Sequence, residues 1–460
     1  MGATELSAKE KEEAVSLLQS LIRIDTTNPP GNEREAISLV SAECQSMGLD
    51  PVIVGATDER PNLVARWTSA ESDRASDRPL VLSCHLDVVP AGEQGWTHPP
   101  FSGAFEDGCV WGRGAIDMKG FAAMGLAALK QLRKEGIAIN RDVIFAAVSD
   151  EEAGTQMGSR WLVENHPELL GGEPEYVINE VGGFTVHQKG RRFYPIQVAE
   201  KGVAWLRLTM KGTAGHSSLP TQDNPVVHLA RAIDAIGSTR LPWHPSEEAK
   251  RFISGFAEPE GVVARNLAPL LAHPKLGPIL LPLAVPDPSR RNSLEAILRN
   301  TANPTRLTTT HPINVIPPEA SVEIDGRLAP GQTAEDLIGE LRAITDAIPQ
   351  VRADFEIIEE SPATSFSPDT PLFEEIKRGL QESDEGAIVV PSIIQGFTDS
   401  QNYASLGATC YGFYPLKLPV EIDFASLFHG VNERIPVEGF HWGISCLASV
   451  LKSFLTKPPE

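Results

Sequence analysis

Apolar and polar positions divide the chain into two regimes. Across the first 200 residues, strand-like apolar runs alternate with helical stripes. Pro79 to Cys84 (PLVLSC) and the run inside Arg141 to Asp150 (RDVIFAAVSD) are nearly continuous in apolar residues, as in strands buried on both faces of a parallel sheet. Between them Phe121, Met124, Ala128 and Leu132 form one stripe of an amphipathic helix. Repeated strand-then-helix order predicts an α/β fold, a mixed sheet flanked by helices. Ligand-binding side chains then belong in loops at the carboxyl ends of strands, where His85, Asp87, Glu151 and Glu180 fall.

Near Glu200 the period changes. Leu206, Leu208 and Met210 alternate with Arg207, Thr209 and Lys211, which suits a strand with one face in water. A helix follows through Val226, Val227, Ala230 and Ile233, then a Pro-rich stretch and a Thr-rich strand near Arg306 to Thr310. Ala320, Val322 and Ile324 mark the next strand, Thr333 opens a helix, and a last strand lies near Ala353 to Ile358. This β-α-β-β-α-β order predicts an inserted ferredoxin-like α+β domain. The expected organisation is one α/β domain begun by 1–200 and completed by 363–460, with 201–362 as an inserted second domain. Leu241 to Asn303 is rich in proline and gives no assignable period.

Composition narrows the function classes. At 460 residues the chain exceeds one ordinary core. Its 40 basic and 61 acidic side chains give a net charge of −21, which repels nucleic acid and anionic membranes, so neither is expected as a partner. The N-terminal segment mixes charge with apolar residues and lacks a signal-peptide core. No run approaches the roughly 20 apolar residues of a membrane span. Five cysteines, an odd number without a C-x-x-C pair, read as reduced thiols of a cytoplasmic protein.

Chemistry concentrates in a few acidic residues and histidines. His85 and Asp87, two apart on a strand, face one side, so the aspartate can accept the second ring N–H and fix the imidazole as a ligand. Glu151 and Glu152 end a strand-like run, where a loop lets adjacent side chains diverge. Gly112-x-Gly114 is not a dinucleotide loop, because Asp117 stands where a third glycine is needed.

After His85-Leu86-Asp87-Val88-Val89-Pro90 come Gly95-Trp96, Pro99-Pro100-Phe101-Ser102-Gly103, Asp107-Gly108 and Gly112-Arg113-Gly114-Ala115-Ile116-Asp117-Met118-Lys119-Gly120. In these the chain resembles the di-zinc amidohydrolase superfamily of aminoacylase, acetylornithine deacetylase, succinyl-diaminopimelate desuccinylase, glutamate carboxypeptidase and carboxypeptidase S. The resemblance implies two zinc ions, with cobalt or manganese as alternatives that such ligands also accept. It implies His85 and Glu180 on one metal, Glu152 and His429 (in Phe428-His429-Gly430-Val431-Asn432-Glu433) on the other, and Asp117 bridging both. Glu151 would be the general base and Asp87 the orienter of His85.

The same resemblance extends past residue 200, and it implies that 1–200 with 363–460 form the catalytic domain and 201–362 a lid or dimerisation domain. Gly212-Thr213-Ala214-Gly215-His216-Ser217-Ser218-Leu219-Pro220 is similar to a loop whose histidine holds the scissile carbonyl, commonly across a dimer, which implies a homodimer and a catalytic role for His216. Asn314, in Asn314-Val315-Ile316-Pro317, and Arg327, in Asp325-Gly326-Arg327, resemble family segments that bind the polar end of the substrate. Arg327 shares a strand face with Asp325, so an ion pair between them is the rival reading. Gly396 and Thr398 fall where relatives carry a Gly-rich substrate loop, with Phe397 replacing a small residue. Glu359-Glu360-Ser361-Pro362 stands where some glutamate-cleaving relatives carry arginine, which weakens a case for acidic side chains. The expected activity is hydrolysis of amide bonds in N-acyl amino acids or short peptides with a free carboxylate. A metallo-carboxypeptidase or dipeptidase is the alternative, and a non-catalytic binding relative would have lost ligands that this chain retains.

Overall fold

A computed structural model describes residues 5–70, 78–92, 94–219, 221–309, 311–349, 351–422 and 424–456. Pro220 and Thr310, which ended two of the expected segments, lie outside the described residues. The chain folds as two compact units, Met1–Val198 with Phe366–Pro391 and Thr398–Glu460, and Ala199–Ser365 with Ser392–Phe397.

In the first unit a mixed sheet carries, in order, Val52–Gly55, Pro61–Trp67, Val143–Val148, Leu80–His85, Tyr176–Asn179, Thr409–Gly412 and Arg191–Glu200. Four of these are mutually parallel: Val143–Val148, Leu80–His85, Tyr176–Asn179 and Thr409–Gly412. The apolar runs sort by residue parity. Leu80, Leu82, Cys84, Val143, Phe145 and Ala147 join the core on one face, and Val81, Ile144, Ala146, Val148 and Val177 join the core on the other. Side chains two apart on a strand share a face, so a run apolar at every position needs cover on both sides. Helices Ala8–Arg23, Arg34–Ser46, Lys119–Lys134, Pro371–Ser383 and Val437–Thr456 cover the first face, while Ser159–Asn165 and Ser400–Ala404 cover the second. Each fully buried Leu, Ile or Phe stabilises this packing by about 1.5–3 kcal/mol. The first helix starts where Ser7 and Glu10 exchange capping hydrogen bonds.

A hairpin not anticipated from the sequence joins Ala104–Glu106 to Cys109–Trp111. Its turn is Asp107-Gly108, both residues left-handed (φ 50° and 71°), the geometry in which a two-residue turn follows the twist of its strands. Arg434–Pro436 adds to the hairpin's other edge.

The second unit holds an antiparallel sheet in the order Thr301–Thr308, Glu319–Leu328, Gly202–Lys211, Ala353–Ser361, with helices Pro225–Ser238 and Ala334–Thr345 packed on it. That order is the ferredoxin-like one. Leu206, Leu208, Met210, Val322 and Ile324 alternate inward as their period requires. The stretch without a period, Leu241 to Asn303, contains four short helices: Glu247–Ala257, Val262–Leu271, Gly277–Ala284 and Pro288–Ile297. Pro269 and Pro282 sit inside two of them and interrupt the pattern from which a helix is read.

Candidate metal centre

Parallel register brings three strand ends to one edge. His85 lies opposite Val148, and Leu82 opposite Ile178, so His85, the Glu151–Ala153 turn and Glu180 leave the sheet on the same side. Asp150 and Val181 take left-handed backbone (φ 63° and 58°), which swings the chain sharply beside these carboxylates. Non-glycine residues rarely adopt that conformation, and such strain gathers at sites where geometry matters. The turn at Asp150 is held by its own side chain, which accepts from Arg60 (2.8 Å), Asn28 (3.0 Å) and the Met157 N–H (3.0 Å). Behind Glu180, Gly412 has no room for a side chain, because a methyl there would strike the carbonyl oxygens of Glu180 and Val181.

Asp117 and His429 arrive together on a different support. Glu433 is fully buried, and one of its carboxylate oxygens accepts the N–H groups of Ile116 (2.7 Å) and Asp117 (3.1 Å). The other oxygen pairs with Arg113 (2.7 Å), whose second amino group donates to the His429 carbonyl (3.2 Å). One buried ion pair thus fixes the loops of both ligands, and the pairing of Arg434–Pro436 with Cys109–Trp111 holds those loops side by side.

The five metal ligands expected from the sequence converge. His85 Nε2 stands 3.1 Å from Asp117 Oδ1 and 3.8 Å from Glu180. His429 Nε2 stands 3.0 Å from Asp117 Oδ2 and 3.2 Å from Glu152. Ligand atoms of His85, Asp117 and Glu180 lie within 4.8 Å of one another, and so do those of Asp117, Glu152 and His429. Asp117 belongs to both triads. Glu151 belongs to neither, although its carboxylate lies 4.0 Å from His85 Nε2.

Asp87 approaches His85 with both its main chain and its carboxylate. The nearest acceptor for His85 Nδ1 is the Asp87 main-chain carbonyl (3.0 Å), with the carboxylate at 3.4 Å. The carboxylate instead receives the backbone N–H groups of Glu151 and Glu152 (3.1 Å each) and the Asn28 amide (2.8 Å). Asp87 thus contacts both His85 and the backbone of the glutamate pair.

Charge in the cluster is out of balance. Four carboxylates, Asp117, Glu151, Glu152 and Glu180, surround two imidazoles. Burial, and next the charge of Asp117, push Glu152 up to about 7 and Glu180 up to about 8. Burial and the nearby Glu180 hold Glu151 well above the usual carboxylate range. His85 loses basicity to burial but gains more from Asp117, Asp87 and Glu180, ending well above an ordinary imidazole. His429 is raised to about 10 by Asp117 and Glu152. Burial alone would raise Asp117, but the two imidazoles hold it below the carboxylate range. Its Oδ2 is close to His429 yet off the direction a hydrogen bond requires, and Glu152 Oε1 has no donor among the described residues. Buried acceptors without donors are costly, and oxygen and imidazole donors in two triads sharing one carboxylate are what a pair of divalent cations satisfies.

The remaining expected site residues divide between the units. His216, Asn314, Arg327 and Gly396 belong to the second unit, and Thr398 to the first. His216 is exposed and pairs across a short ladder with Val315. Its Nδ1 lies 3.2 Å from the Ser218 N–H, which can only donate, so the ring's neutral form carries its proton on Nε2. Asn314 is exposed, its carbonyl accepting from Ser217. Arg327 Nε donates to Asp325 (2.9 Å) and its guanidinium lies over Phe397, while Nη1 is buried with no partner among the described residues. Gly396 is half-buried. Thr398 is buried, and its hydroxyl accepts from Asn179 (3.0 Å) and the Ser400 N–H (3.1 Å). Sequence reasoning did not single out Asn28, Arg60, Arg113 or Glu433 as supports, although the last two lie within motifs it quoted.

A family profile described as Peptidase family M20/M25/M40 matches residues 81–453. The N-fatty-acyl-amino acid synthase/hydrolase PM20D1 of Mus musculus is 28% identical over 457 residues, covering 95% of this chain and 87% of its own. Probable carboxypeptidase S-like 2 of Dictyostelium discoideum is 27% identical over 392 residues, covering 82% of this chain and 72% of its own. Among solved structures, the M20 family metallo-carboxypeptidase Sso-CP2 of Sulfolobus solfataricus superposes with a TM-score of 0.71 at 19% identity, covering 97% of this chain and 100% of its own.

Proposed function

This chain belongs to the peptidase family M20/M25/M40, which makes it an enzyme of the hydrolase type, and from that premise we propose that it hydrolyses amide bonds of N-acyl amino acids or short peptides bearing a free carboxylate. The observation that carries the reading is the Asp117 carboxylate, with one oxygen toward His85 and the other toward His429.

His85, Asp117 and Glu180 would hold one cation, and Asp117, Glu152 and His429 the second. Zinc suits these nitrogen and oxygen donors, and cobalt or manganese would also be accepted. The bound pair would polarise the scissile carbonyl and lower the pKa of water. Glu151, outside both triads, takes a proton from the attacking water and delivers it to the amine nitrogen as the C–N bond breaks. Burial among like charges makes its carboxylate a stronger base than a solvated one. Asp87 orients His85 and the glutamate pair. His216, with its proton on Nε2, would donate to the developing negative charge on the carbonyl oxygen. Arg327, with Nη1 free of partners among the described residues, is suited to the substrate carboxylate, and Asn314, Gly396 and Thr398 would shape its surroundings. A homodimer in which His216 serves the other subunit, and a cytoplasmic location suited to five free buried cysteines, belong to the same reading.

The test is to load purified protein with zinc, cobalt or manganese and incubate it with a panel of N-acyl amino acids and dipeptides. Release of free amine from N-acyl amino acids is expected. Cleavage of dipeptides alone would favour the carboxypeptidase or dipeptidase alternative, and elemental analysis finding no bound transition ion after reconstitution would overturn the reading.

A further inference from the structure

One stretch of the second unit combines exposed apolar side chains with free cations. From Gly261 to Pro286 the sequence contains no Asp or Glu, within a chain of net charge −21. It forms the helices Val262–Leu271 and Gly277–Ala284, which pack together, their buried residues Ala268 and Leu281 sharing one small core with Ala272 just past the first helix. Outside that core Val262, Val263, Leu267, Leu270, Ile279 and Leu283 remain exposed, Val263 to 74% and Leu283 to 76%. Gly277–Ala284 (GPILLPLA) has no polar side chain at all. Helices apolar on every side ordinarily lie in a protein core or in lipid.

Cations lie within this stretch and just beyond it, and Glu258, Glu260 and Asp287 flank its ends. Arg265 and Lys275 are exposed inside it, Arg290 (exposed) and Arg291 (half-buried) open the next helix, and none of the four forms an ion pair among the described residues. At 10 and 8 residues the helices reach about 15 and 12 Å, well short of the roughly 30 Å a span requires. No helix among the described residues is long and apolar enough to cross a membrane.

We propose that these two helices are a docking surface for an anionic lipid bilayer. Their apolar side chains would enter the boundary between headgroups and acyl chains, with Arg265, Lys275, Arg290 and Arg291 meeting the headgroup anions. A second copy of the chain is the poorer occupant, since a self-complementary contact would set these same cations against one another. The whole-chain charge that argued against a membrane partner averages over a segment whose local sign is opposite.

The test floats the full-length protein with phosphatidylcholine vesicles, with and without one-third phosphatidylserine. Wild-type protein is expected to rise with the anionic vesicles and to be released at about 0.5 M salt, where screening shortens the reach of surface charges to a few ångströms. Val263→Ser with Leu283→Ser, and separately Arg265→Glu with Lys275→Glu, should each cut flotation roughly tenfold or more while hydrolysis and cooperative unfolding are retained. A Leu283→Trp reporter should shift to shorter emission wavelength on those vesicles and be quenched by brominated lipid. Wild-type protein that stays at the bottom, variants that float like wild type, or a reporter that does not move would each overturn the proposal. So would apolar variants that only convert a dimer to monomers in sedimentation velocity, or loss of binding to dispersed acyl chains with none to vesicles.

Discussion

The triads around Asp117 and the expected substrate contacts of the second unit are built on opposite plans. Most of the first set is buried and leans on a chain of supports, His85 on Asp87, the glutamate pair on Asp87 and Asn28, Asp117 and His429 on Glu433 and Arg113. His216 and Asn314 are exposed and sit on two short segments that pair with each other, and Arg327 rests on Asp325 and Phe397. Cations held to fractions of an ångström need rigid donors. Groups that meet varied substrates need little beyond local positioning, so substitutions in the two sets should fail in different ways.

The sharpest break in the comparison is at Glu151. Glu151→Gln should lower turnover about 10³-fold or more while metal content stays near wild type, because the amide keeps the shape but takes up no proton. Turnover and elemental analysis on the same preparation decide it, and near-normal turnover would remove Glu151 from the chemistry. His216→Ala should cost about 10²-fold in kcat, again with metal content unchanged. If the loop serves a partner subunit, mixing it with Glu151→Gln subunits restores part of the activity, whereas confirmed heterodimers that stay inactive would place the histidine's action within its own chain.

Glu433→Gln tests the supports, since it leaves every ligand in place. Weakening of metal affinity by about 10–100-fold is expected, together with a lower thermal midpoint, because Arg113 loses its charge partner in a buried setting. Isothermal titration and calorimetry measure both, and the double variant with Arg113→Met should lose less than the sum of the singles. The smallest effect is expected at Arg327→Lys. Its partly exposed pair with Asp325 contributes at most about 1 kcal/mol, so stability should hardly change while KM rises. A KM equal to wild type would leave the ion pair as the whole of that residue's role.

How much of this was legible in the sequence follows from where the information lies. His85, Asp117, Glu151, Glu152, Glu180 and His429 were marked as candidates through the resemblance, which short contiguous motifs at strand ends and loops carry. The strands Leu80–His85 and Val143–Val148 were readable because burial on both faces leaves an unbroken apolar run. Glu433 and Arg113 were quoted but given no task, since their partnership spans the chain and no local period encodes it. For Asp87 the spacing identified the neighbour of His85, but not whether the carbonyl or the carboxylate would face the ring, which depends on backbone torsion. Helices interrupted by Pro269 and Pro282 left no stripe to follow, and the net charge hid the acid-free segment they form.

The strand Arg434–Pro436, which zips onto Cys109–Trp111, has a consequence for biosynthesis. Ribosomes deliver the early loop long before its partner, so a nascent chain carries Asp117 and the glutamates with no lasting means of closing around a cation. Competence would come late and all at once, when Arg434–Pro436 emerges, and a chain shortened before that strand would be expected to show none.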